Sequence, residues 1–181
     1  MSTGSSARDL AYGGLLGAAA FVFPLLFHAL GAGAHFLPMY WPLLCLPFFV
    51  RWFTSLALAL GMPLLSSVLS GMPPLWPPVA PAMAGELGVA VLSMHLLTAR
   101  LPRWPPWAVL AVGLAVGRGV AFVLWELFGR WWQLPNHLAG AAVLVAGLPG
   151  VVLMLLVLPP VLGLARRLGF TRVREAHVPE P

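Results

Sequence analysis

Apolar residues run almost unbroken along most of this chain, and the interruptions fall at glycine, proline and arginine instead of at a helical or strand period. A helix on the surface of a soluble domain is apolar along one stripe, whereas these stretches are apolar around their whole circumference, which predicts helices solvated by lipid. The first span is predicted from about Leu10 to Leu30. GAGAHFLPMYWP then breaks the helix with its glycines and Pro38, and a short second helix is expected over about Pro38 to Val50. Some 13 residues rise about 20 Å, less than the roughly 30 Å of a hydrocarbon core, so this helix does not span unaided. Arg51 marks the tip of a hairpin whose second arm runs from Trp52 to Leu69. Gly71 to Pro81 holds five prolines and reads as a stiff, extended connection. Further spans are predicted over about Ala82 to Ala99, Trp107 to Phe128 and Leu138 to Leu164, the last with bends at Gly147, Pro149, Pro159 and Pro160. The expected fold is therefore all-α: an integral membrane bundle of about six helices, forming one domain and followed by a short basic tail from residue 165 onward.

Composition supports this. Of 181 residues, 60% are hydrophobic and only 8% charged, with a mean hydropathy of +0.92, too few charges to cover a soluble surface. The net charge of +5 comes entirely from arginines placed singly or in pairs at the ends of apolar runs, which argues against nucleic-acid binding and for a topology signal. Arg8, Arg51, Arg100, Arg103, Arg166, Arg167, Arg172 and Arg174 share one side of a six-span arrangement, and only Arg130 lies on the other. By the positive-inside rule both termini are expected in the cytoplasm, with the loops GAGAHFL, GMPPLWPPVAP and GRWWQLPNH outside. The opening MSTGSSARDLAY lacks a convincing secretory signal, so the first helix is expected to be retained. A single cysteine, Cys45, excludes an internal disulfide and a multi-cysteine metal site.

No phosphate-binding loop, nucleophile elbow, H-E-x-x-H or paired-carboxylate run is present, so neither an enzyme nor a bound cofactor is expected. The informative residues are polar groups that lipid would penalise. Arg118, flanked by Gly117 and Gly119 near the middle of the fifth span, must face the bundle interior. Glu86 on the preceding span lies at an overlapping depth if the two helices are antiparallel. Two readings stand open: a structural salt bridge, or contact of one or both with a polar solute. His28, His35, His137, Met39, Met72 and Trp76 map to the outer half and are, with Glu86 and Arg118, the candidates for contact with a solute; Trp125, Trp131 and Trp132 map there too, and their simplest role is interfacial anchoring, to which Trp76 in the stiff loop is the best exception. The histidines also permit a membrane-embedded haem or redox protein, although no i, i+4 pair exists to hold a metal. In the first helix the small residues Gly13, Gly14, Gly17 and Ala18 allow another helix to approach closely.

FHALGAGAHFLPMYWP (Phe27 to Pro42), PLLSSVLSGMPPLWPPVAPAMAGEL (Pro63 to Leu87), GRGVAF (Gly117 to Phe122) and LPGVVLMLLVLPPVLGLARRLG (Leu148 to Gly169) together resemble the substrate-binding S components of energy-coupling factor (ECF) transporters, which import vitamins and related micronutrients in prokaryotes. The likeness spans nearly the whole chain and is carried by H-x-x-G-x-G, L-x-G-M-P-P and a late L-P-G. There are departures: Tyr40 stands where the family tends to have histidine, a glutamine expected near Met154 is missing, and the A-x-x-x-A docking motif is matched only in kind by Gly14 and Ala18 or by Gly13 and Gly17. The resemblance implies a multi-pass protein of a prokaryotic plasma membrane that captures a vitamin-like solute near the outer face, under the first and third loops. It implies a transmembrane T component and two cytoplasmic ATPases as partners.

Overall fold

The computed structural model describes residues 3–29, 31, 33–133 and 140–171. Among these every regular element is a helix: α1 (Thr3–Ala29), α2 (Gly33–Phe36), α3 (Tyr40–Phe49), α4 (Trp52–Ser70), α5 (Val79–Arg100), α6 (Pro106–Trp132) and α7 (Gly140–Arg167). The five longest are long and apolar enough to cross a membrane, which makes this a multi-pass membrane protein.

The shortest of the apolar helices is the most deeply buried. YWPLLCLPFF is apolar on every side and packs against α1, α4, α5 and α7, so that Leu43, Leu44, Leu46 and the following Val50 are inaccessible. Ten residues rise about 15 Å, half a bilayer. The other half of this crossing is made by the segment before it, which dips into the bundle and lays α2 against α7. Gly150 permits this contact: a Cβ there would stand 2.8 Å from the His35 and Phe36 carbonyl oxygens. Irregular backbone at membrane depth is tolerated only where protein satisfies it. Here the Trp41 indole N–H donates to the Phe36 carbonyl at 2.9 Å, and the Tyr40 amide bonds the Leu37 carbonyl at 2.9 Å.

The ends of the bundle are defined by contacts. Arg51 and Asp9 pair at 3.7 Å, Arg8 donates to the Phe170 carbonyl and Arg166 to that of Pro102 at 3.3 Å. The start of α1, the α3–α4 and α5–α6 turns and the end of α7 therefore meet at one arginine-rich end. Several boundaries differ from expectation. α1 begins at Thr3 and not near Leu10, because its polar first turns carry no proline and tolerate Gly4. α5 starts at Val79 with Pro81 in its first turn, where no intrahelical N–H is needed. α6 continues past Phe128 through Trp132, turning GRWW from loop into helix, and stops at Gln133 in the left-handed conformation (φ 48°). α7 runs unbroken through Pro149, Pro159 and Pro160 to Arg167. Residues 172–181, the far part of the expected tail, lie outside the described residues.

Candidate functional site

α5 and α6 pack closely at Gly117, where a Cβ would lie 2.9 Å from the Ala90 Cβ and 3.3 Å from the Glu86 carbonyl. That approach brings the next residue, Arg118, onto the Glu86 carboxylate. The two form an ion pair through Arg118 Nη2 and Glu86 Oε1, with Glu86 buried and only 13% of the Arg118 side chain exposed. On α7, Gly147 leaves room for the guanidinium: a Cβ there would be 3.1 Å from Nη1. The Tyr40 hydroxyl donates to Glu86 Oε2 at 2.7 Å, and its ring lies under the guanidinium, 5.0 Å from Cζ to centroid. Arg118 Nε is buried without a hydrogen-bond partner.

This triad borders a cavity of about 340 Å³ in the half of the bundle away from the arginine-rich end. Its walls come from the end of α1 (Pro24, His28), the re-entrant segment (Leu37, Pro38, Met39), the proline loop (Met72, Pro73, Pro74), α5 (Val79, Met83), Trp125 of α6 and Val143 and Ala146 of α7. His28 and Met72 are exposed, whereas Met39 and Trp125 are buried. The proline loop is held in place at its start. Gly71 ends α4 with φ 74°, a conformation that favours glycine, and the Ser66 hydroxyl donates to the Met72 carbonyl at 2.7 Å. Leu37 also takes a left-handed backbone (φ 50°), with its side chain against Gly147.

The structure thus brings together His28, Met39, Met72, Glu86 and Arg118 from the residues singled out in the sequence. Two others do not line the cavity. His35 turns its Nδ1 to the Ala146 carbonyl at 3.2 Å, so that nitrogen carries the proton and the ring fastens α2 to α7. Trp76 is exposed and meets Trp132 edge-on, 5.4 Å between ring centroids, tying the proline loop to the end of α6. His137 lies outside the described residues. In the sequence Tyr40 stands out only as a departure from a family pattern, and Trp125 only as one of several interfacial tryptophans. The spacing of Trp125 from Arg118, seven residues or about two turns, was the available signal that both share one face.

The four small residues of α1 divide into two pairs. Gly13 and Gly17 face α4, where Cβ atoms would meet Thr54 and Leu58 at 3.2 and 3.4 Å, and are buried within the protein's own packing. Gly14 and Ala18 are exposed, and nothing lies within 4 Å of a Cβ on Gly14. Comparison with family models, with curated proteins and with solved structures returns no match.

Proposed function

We propose that this protein is the solute-binding subunit of an ECF-type importer in a prokaryotic plasma membrane, holding a vitamin-like micronutrient in the cavity beside Glu86 and Arg118. The observation that carries this reading is the cavity itself. Its polar border and two of its walls come from the segments of the sequence that carry the family resemblance, Phe27 to Pro42, Pro63 to Leu87 and Gly117 to Phe122. The cavity lies at the end poorest in arginine, which the positive-inside rule assigns to the outer face. In this reading the protein catalyses nothing: ATP hydrolysis belongs to two cytoplasmic ATPases, coupled through a T component.

The exposed pair Gly14 and Ala18, on the groove between α1 and α4 that Gly13 and Gly17 also line, is the part of α1 open to that partner. Co-expression with a tagged T component and its ATPases should yield a complex that co-purifies. Gly14→Leu should abolish the complex while leaving the isolated protein monodisperse and equally stable. Failure of the wild-type chain to join any such module would remove the reading. A haem Soret band in the purified protein would replace it with the redox alternative, for which His28 at the exposed side of the cavity is the available ligand.

A further inference from the structure

Both carboxylate oxygens of Glu86 are already engaged, Oε2 by the Tyr40 hydroxyl and Oε1 by Arg118. The polar border of the cavity is therefore neutral as a unit, one cation against one anion. An anionic solute can reach the guanidinium N–H groups that Glu86 leaves open, but there it meets a cation whose charge Glu86 already balances, so full ion pairing requires it to displace Glu86. Displacing Glu86 leaves a carboxylate only 4% exposed with the Tyr40 hydroxyl as its one remaining partner here, and stranding a buried charge costs more than exchanging one ion pair for another returns. A solute without net negative charge meets no such cost. It can hydrogen-bond to the pair as it stands.

The remaining walls add a second constraint. Met39, Met72 and Met83 surround the cavity together with the Trp125 ring. Thioethers are polarizable and make favourable contacts with aromatic rings, and indole packs well against another ring edge or face. A volume of about 340 Å³ stands at the small end of small-molecule sites. Resting on the binding-subunit reading, the geometry points to Glu86 as the residue that sets specificity: by neutralising Arg118 it selects a planar aromatic heterocycle carrying no net negative charge and rejects carboxylate or phosphate analogues of the same ring.

The test compares acridine-9-carboxamide with acridine-9-carboxylate, one ring system in neutral and anionic form, by titration calorimetry on the full-length protein in detergent near neutral pH. The carboxamide is expected to bind roughly tenfold or more tightly than the carboxylate, and Glu86→Gln, which frees Arg118, is expected to invert the order. A purely structural Glu86 would weaken both probes without inverting them. The wild-type comparison decides even where the variant does not fold. A carboxylate bound as tightly as the carboxamide overturns the selection against anions, and no binding of either probe at about 1 mM overturns the aromatic class. Neither result touches complex formation with the T component and ATPases, so failure here and failure of the importer reading are separate observations.

Discussion

The two ends of this bundle are built from the same helices and differ in how they are filled. At the arginine-rich end the interior is filled: the crevice between Phe48, Thr98, Trp104, Leu162 and Arg166 measures about 10 Å³, room for no more than about one water, and the larger hollow that starts there beside Asp9 and Arg51, about 870 Å³, is an open surface groove between α1 and α4. At the opposite end the same helices enclose about 340 Å³. The difference comes from α3. Too short to traverse the bundle, it fills the core toward Arg51 and leaves the other half to an irregular segment, whose turns pack less completely than helix would. A short helix makes a cavity by not reaching across. The inaccessible side chains of Leu43, Leu44 and Leu46 close the bundle axis between that cavity and the arginine-rich end.

The polar groups follow the same division. Around the cavity stands the buried ionic triad of Tyr40, Glu86 and Arg118; toward the other end the Arg51–Asp9 ion pair lies partly exposed, and Ser55 and His95 join α4 to α5 by a contact of 2.8 Å from hydroxyl oxygen to Nε2. The largest effect is expected where charge is buried. Arg118→Gln leaves Glu86 without its cation and should cost about 3 to 5 kcal/mol, read as a large fall in thermal stability in detergent, while the double change Glu86→Gln with Arg118→Gln should recover most of it. Equal stability of single and wild type would mean that the pair does not form in the membrane.

Gly150→Ala sharpens the comparison from the packing side. Its Cβ would press on the backbone carbonyls of His35 and Phe36, which are not free to swing aside as a side-chain tip is, so a loss of about 1 to 3 kcal/mol is expected together with weaker binding of acridine-9-carboxamide, because the displaced segment walls the cavity. The smallest effect belongs to the sealed end. Ser55→Ala removes one buried hydroxyl contact and should cost about 1 kcal/mol while leaving that affinity unchanged. If it weakens binding as much as Gly150→Ala does, the two ends are coupled and the division drawn here is wrong.

Much of the scaffold was legible in the sequence because membrane spans are long, uniformly apolar and punctuated by arginine, and each of these signals is local. Most helix boundaries agree to within a few residues; the exceptions are the start of α1, which extends through the polar turns before the apolar run, and the places where proline or tryptophan misleads, since Pro81 reads as loop although a helix accepts proline in its first turn, and Trp131 and Trp132 read as loop although α6 stops only at Gln133. Residue type alone singled out Glu86 and Arg118, since a charge in lipid requires a reason wherever it stands.

What only the tertiary structure decided is which groups face one another. That α3 is the central element, that Gly13 and Gly17 serve α4 and leave Gly14 and Ala18 outward, and that Tyr40 and not His35 completes the site all depend on rotations of helices about their axes. In a soluble helix that rotation is written in an apolar stripe; here the helices are apolar all round, and the sequence carries no such mark. Close packing at a few glycines sets it instead. Gly117, Gly147 and Gly150 bring α5, α6, α7 and the re-entrant segment near enough to place Arg118 against Glu86 and His35 against the Ala146 carbonyl. A glycine in the sequence says that something can come close, and only the folded chain determines what does.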